Sequence, residues 1–272
     1  MSSSAAPVSS QPNGSIFAAL AIQRRVLHAL LMREIITRFG RQNLGVLWIF
    51  LEPMIFTLGV ATLWFAADMN HGSSIPIFAF AVTGYSSVLL WRNCATHSLG
   101  ALAANRSLLF HRNVRVIDVF LTRSILEIAG ATTSFAVLAT VFVALGWMGP
   151  PLDALQVVFA WFMLAWFGTA LAFVIGAGTA YSHVVEKLWQ PASYLLFPIS
   201  GAAFMVDWLP RSMQDFVLLL PMVHGVEMLR EGYFGNVVRT HHDLSYMASW
   251  CLLLSLLGLY LVREAGLRTE AT

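Results

Sequence analysis

Six stretches of this chain are long and almost free of charge, and its polar residues gather in short clusters between them. A helix needs about 20 mostly apolar residues to cross roughly 30 Å of hydrocarbon. Residues 44–67, 75–94, 121–147, 154–182, 188–206 and 244–262 meet or approach that length. The pattern therefore predicts an all-α integral membrane protein with six transmembrane helices in a domain spanning 42–265. The fourth span carries no charge at all; the second is apolar up to Arg92. Pro191 and Pro198 predict a kinked fifth helix, since proline removes a helix hydrogen bond.

Two segments are apolar without being spans. In 21–41, Ala29, Met32, Ile35, Ile36 and Phe39 share one helical face, opposite Gln23, Arg33, Glu34, Thr37, Arg38 and Arg41. That alternation predicts an amphipathic helix lying along the cytoplasmic surface, as an anchor or as a docking element. Between spans five and six, residues 207–243 hold two short apolar runs, 216–220 and 223–229, separated by Pro221. They read as two short outer helices, either re-entrant and resting on protein or lying as a surface cap. Residues 1–20, rich in Ser, Pro and Gly near the start, read as a disordered tail. No charged region precedes an apolar core there, so no signal peptide is expected.

Composition agrees with lipid as the solvent: 58% of residues are hydrophobic and 11% charged, with a mean hydropathy of +0.71. Net charge is +2, with fifteen Arg and the single Lys187. No basic run suggests nucleic acid. Arginines precede span one, lie between spans two and three, and follow span six, whereas 68–74 and 148–153 have neither Lys nor Arg. Both termini are therefore expected in the cytoplasm. Cys94 and Cys251 sit in apolar surroundings and read as buried thiols.

Candidate chemistry is sparse. Lys187 is not followed by Ser or Thr, so the phosphate-cradling Gly-x-x-x-x-Gly-Lys-Ser/Thr loop is absent and ATP is not bound that way. Gly84-Tyr85-Ser86-Ser87-Val88 lacks the second glycine of a nucleophile elbow, and His241-His242-Asp243 is a poor metal site, so no metal is expected. Glu52 and Glu127 are intramembrane carboxylates. Glu127 is four residues from Arg123, which favours mutual neutralisation. Glu52, before Pro53, reads as a capping or interhelical group or as a transport residue. The aromatic residues are either an interfacial belt or stacking surfaces for sugar rings. Gly168, Ala172, Gly176 and Ala180 recur every fourth position, which allows tight helix packing within or between subunits.

Several segments in order carry a resemblance: Arg33-Glu34-Ile35-Ile36-Thr37-Arg38-Phe39-Gly40, Leu44-Gly45-Val46-Leu47-Trp48, Leu51-Glu52-Pro53, Asn105-Arg106-Ser107-Leu108-Leu109, Val116-Ile117-Asp118, and 227–235 from Glu227 to Gly235. On this topology they resemble the type-2 ABC export permeases and, within them, the KpsM-type permeases of capsular polysaccharide export, over roughly residues 20–265. The resemblance implies a homodimer in the bacterial inner membrane, with two copies of a KpsT-like cytoplasmic ATPase that bind ATP and Mg. This chain binds no cofactor and is not an enzyme. It also implies a KpsE-like periplasmic adaptor and a lipid-linked polysaccharide substrate, expected to be acidic. The 98–118 segment, with Asn105, Arg106, Arg112, Arg115 and Asp118, would couple to the ATPase. Arg33, Arg38 and Arg41 would attract the polymer or its lipid phosphate at the cytoplasmic mouth. Trp48, Phe56, Trp64, Tyr194, Phe197, Trp208 and Tyr233 would line the channel, and 207–243 would gate its periplasmic side. Permeases for O-antigen, teichoic acid, lipids or drugs are the alternatives, as is, in another class, an intramembrane enzyme acting on lipid-linked glycans.

Overall fold

The computed structural model describes residues 16–39, 44–67, 75–109 and 114–270, which are helical over most of their length, with no strand among them. Packing is organised on α7 (Ala154–Gly178), whose first turn is capped by Asp153 accepting the Gln156 N–H at 2.9 Å. The small residues of α7 are filled from within the chain. A methyl group on Gly168 would lie 2.8 Å from the Trp91 Cα of α3 (Ile77–Ser98). One on Gly176 would strike the Phe120 ring of α6 (Val116–Ala144) and come within 2.9 Å of Ser98 Cβ. From the other side Gly258 of α11 (Leu244–Glu270) would meet Phe173 at 2.7 Å. The every-fourth spacing thus buys close approach of α3, α6 and α7 inside one chain. Trp91, Leu90, Phe120 and Leu164 are fully buried there.

Among the described residues, three helices are long and apolar enough to cross a membrane: Val116–Ala144, Ala154–Gly178 and Leu244–Arg268. The other long helices carry more interruption. In α2 (Leu44–Ala66) the apolar part is Leu51–Ala66, with Pro53 inside the helix. Helix α3 contains Arg92 and His97, and α8 (His183–Ile199) contains Pro191 and Pro198. Both cysteines are free and buried.

Helix ends depart from the sequence expectation for local reasons. Helix α6 starts at Val116, five residues before 121, because the Asp118 carboxylate accepts the Arg115 N–H at 2.9 Å. Helix α8 stops at Ile199, before 206, where Gly201 takes a left-handed φ of 86° that glycine adopts without strain. Helix α3 runs on to Ser98, which puts Arg92 inside it. Helix α1 (Ile16–Phe39) begins within the expected 1–20 tail; residues 1–15 lie outside the described residues.

The polar face of α1 is the one turned inward. Leu30 and Glu34 are buried and Gln23 and Arg33 half-buried, while Met32 and Ile36 are exposed. Gln23, Arg33 and Glu34 of the polar face meet the protein, whereas Thr37 of that face is exposed. Between α8 and α11, α9 (Arg211–Val217) keeps Met213 and Phe216 exposed, whereas α10 (Pro221–Phe234) is buried almost throughout. Gly225 packs on Leu164 and Gly232 on Val157, so residues 225–232 of α10 run antiparallel beside 157–164 of α7.

Candidate functional site

One continuous set of rings joins α2, α3, α8 and the outer loop. Trp208 stacks on Phe80 (5.1 Å between centroids) and Phe80 on Trp64 (5.8 Å). Trp64 meets Tyr85 edge-on (5.5 Å), and Tyr85, Phe56 and Phe197 form a triangle with sides of 5.4–6.0 Å. Arg92 closes the run, its guanidinium carbon 5.0 Å from the Tyr194 ring and 5.8 Å from Phe197. Five of the seven aromatics named from sequence, Phe56, Trp64, Tyr194, Phe197 and Trp208, therefore belong to one assembly. Phe80, Tyr85 and Arg92, which sequence reasoning did not select, connect them. Each apolar run looks alike in sequence, and only the packing of α2 and α8 on α3 singles these out.

The assembly opens on an exposed face of α2 and α8. Trp48, Glu52 and Phe56 recur every fourth residue on the exposed side of α2, and Tyr194 is 66% exposed on α8. Glu52 has no partner among the described residues. Tyr233 is elsewhere: it is buried on α10 and donates its hydroxyl to the Gly149 carbonyl at 2.7 Å. Burial of that hydroxyl pushes its pKa up to about 12. Trp161 and Trp166 take local partners, Thr132 at 2.8 Å and Ser255 at 2.9 Å.

At the end of the bundle expected to face the cytoplasm, α1 is fastened to the segment expected to couple to an ATPase. Arg33 donates to Asn105, between α4 (Ala101–Ala104) and α5 (Arg106–Leu109), and Gln23 donates to Asp118. Glu34 lies 3.0 Å from Arg123, which also donates to the His97 carbonyl at 2.7 Å. Glu127 lies 2.9 Å from His97 Nδ1. From other helices the structure brings Glu34 to Arg123 and His97 to Glu127, two neighbours that the spacing along one helix does not reveal. Arg33, placed at the mouth from sequence, is half-buried at this junction. Arg106 and Arg115 are exposed on the same side. The side chain of Arg38, together with Arg41 and Arg112, lies outside the described residues. A cavity of about 630 Å³ separates Arg106 from His183 and Glu186 at the start of α8 and Arg268 near the end of α11. His183 and Glu186 were missed because nothing local marks the 179–186 turn as part of that surface.

The opposite end of the bundle holds a buried charge that sequence reasoning counted only as loop charge. Arg230 is fully buried and donates to the carbonyls of Gly201, Ala202 and Phe204 at 2.6–2.8 Å, with Phe80 3.9 Å from its guanidinium carbon. Gly84 leaves the room, because a methyl there would lie 2.6 Å from an Arg230 nitrogen. Burial lowers Arg230 to about 10, opposed chiefly by Glu227, which keeps it cationic at neutral pH. Glu227, also fully buried, accepts from the backbone of Val206 (3.3 Å) and His241 (3.1 Å); burial raises its pKa, opposed by Arg230. Together these ties hold the loop after α8, α10 and the strand-like approach to α11 as one unit beneath Trp208.

Residues 25–234 match the ABC-2 type transporter family. Capsule polysaccharide export inner-membrane protein CtrC of Neisseria meningitidis serogroup A is 44% identical over 248 residues, covering 91% of this chain and 94% of its own length. The like-named BexB of Haemophilus influenzae is 44% identical over 246 residues, 90% and 93% of the two chains. Polysialic acid transport protein KpsM of Escherichia coli is 29% identical over 258 residues, 92% and 97%. These relatives are transport proteins rather than enzymes, two of them named for the inner membrane. This chain belongs to the ABC-2 type transporter family of membrane permeases.

Proposed function

We propose that the chain is the permease subunit of an ATP-driven exporter that carries lipid-linked, acidic capsular polysaccharide from the cytoplasm to the periplasm. The observation that carries this reading is the ring assembly from Trp208 to Tyr194, ending on Arg92 and open along α2 and α8. Ring faces bind the C–H faces of sugars weakly and without regard to register, which suits a polymer that must slide. The 44% identity to two capsule exporters, rather than to O-antigen or teichoic acid permeases, favours the capsule branch.

The working unit is a homodimer whose open α2–α8 faces enclose the path, with two KpsT-like ATPases beneath it and a KpsE-like adaptor above. ATP and Mg belong to those ATPases. Six helices cross the inner membrane with both termini in the cytoplasm: α2, α3, α6, α7, α8 and α11. Helix α10 is re-entrant, supported by its run beside Val157–Leu164 of α7. ATP binding draws the ATPases together, the α4–α5 and α7–α8 surfaces follow, and the Arg33–Asn105, Gln23–Asp118 and Glu34–Arg123 ties carry α1 with them. Deletion of the gene should abolish surface capsule and plasmid-borne protein should restore it. Normal surface capsule in the deletion strain would end this reading.

A further inference from the structure

The charge of Arg92 suggests the end of a span, yet α3 continues six residues beyond it to Ser98, about 9 Å along the axis. The cation therefore belongs to the helix rather than to a flanking loop, and its side chain is half-buried. Its Nε is shielded from solvent and has no acceptor, and no ion pair reaches it among the described residues. Its stabilising neighbours are the ring faces of Tyr194 and Phe197. Two other arginines of the helical body are satisfied differently. Arg230 is held by three carbonyls, and Arg123 by Glu34 and the His97 and Leu99 carbonyls. A guanidinium laid against rings uses its π face, while its N–H donors point outward from the edge in a fork that matches a carboxylate.

We propose that Arg92 is the anion-recognition residue of the polysaccharide path: its guanidinium edge pairs with the carboxylates of acidic sugars while neighbouring sugar faces rest on Tyr194, Phe197 and Phe56. This rests on the polysaccharide reading above and adds to it the residue that selects charge. The rings hold the guanidinium in place without neutralising it, so an incoming carboxylate finds a preorganised partner. Exchange of one carboxylate for the next along the polymer leaves the cation paired at each stage. Arg92 thus favours acidic over neutral polymer without trapping it.

The test uses the full-length chain bound to its ATPase in lipid nanodiscs, probed with a fluorescent galacturonic acid oligosaccharide and with its methyl ester, which keeps the backbone and removes the charge. The unmodified protein should bind the acid about tenfold more tightly than the ester, the worth of one charge-assisted hydrogen bond. Arg92→Gln should erase that preference, and Arg92→Lys should retain most of it. The acid-versus-ester comparison on the unmodified protein needs no variant to fold. Equal binding of acid and ester by the unmodified protein, or an undiminished preference in Arg92→Gln, overturns the inference and leaves the polysaccharide reading standing. Binding of neither oligosaccharide overturns both.

Discussion

Replacing Arg230 with methionine keeps most of the side-chain volume and removes the cation. Three carbonyls, those of Gly201, Ala202 and Phe204, then lose donors now 2.6–2.8 Å away, and Phe80 loses the guanidinium on its face. Hydrogen bonds to a charged group contribute about 1.5–3 kcal/mol each, but three on one side chain do not add independently. Loss of one member of a buried charged network costs about 3–5 kcal/mol. At roughly 2–4 °C per kcal/mol for a chain of this size, the melting temperature should fall on the order of 10 °C. Fluorescence-detected size exclusion of heated, detergent-purified protein measures this directly. Arg230→Lys should lose about half as much, since a single ammonium lacks the planar fork that reaches three acceptors. A methionine variant melting within about 2 °C of the parent, below the shift of even one such bond, would show that these contacts do not hold the outer unit together.

Three further outcomes follow from other sites. Gly168→Leu should prevent accumulation of folded protein on immunoblots, because its first carbon would already lie 2.8 Å from the Trp91 backbone and overpacking costs about 1–3 kcal/mol or more; normal levels would show that α3 and α7 are not so closely packed. Glu34→Ala should leave the ATPase bound but cut ATP-driven export at least fivefold in a transport assay, coupling free energies being about 1–3 kcal/mol; unchanged export would remove α1 from the coupling path. His224 Nδ1 accepts the Asp243 N–H at 2.9 Å while Nε2 faces the Leu218 carbonyl at 2.8 Å, an arrangement that requires the neutral ring. Burial lowers its pKa below 6.5, so the stability it provides is full above that value and is lost as pH falls through the depressed folded pKa; melting temperatures should drop below pH 6.5, and less so in His224→Gln.

The parts legible in sequence are those set by local rules. Asp153 ahead of a charge-free run marks the start of α7, and the Gly168–Gly176 spacing announces tight packing. The aromatic path was half legible: the aromatic residues are visible, but only the juxtaposition of α2, α3 and α8 separates Phe56 and Trp208 from Tyr233, whose hydroxyl serves a turn at Gly149. Arginines were the main source of error. A charge count treats Arg92 and Arg230 as flanking or loop residues, because the rings and carbonyls that accommodate them lie about a hundred and about thirty positions away. The same distance hid the pairing of Glu127 with His97 and the inward turn of the polar face of α1.

The central claim, that this chain moves acidic polysaccharide when its ATPase turns over, is tested most directly in proteoliposomes. Permease and ATPase would be reconstituted together, supplied with a lipid-linked acidic polysaccharide on the ATPase side, and the fraction protected from an added glycan lyase measured. The account predicts that protection rises with time when ATP is present, and does not rise with a non-hydrolysable analogue. Brisk ATP hydrolysis by the parent complex with no protected polysaccharide would contradict it.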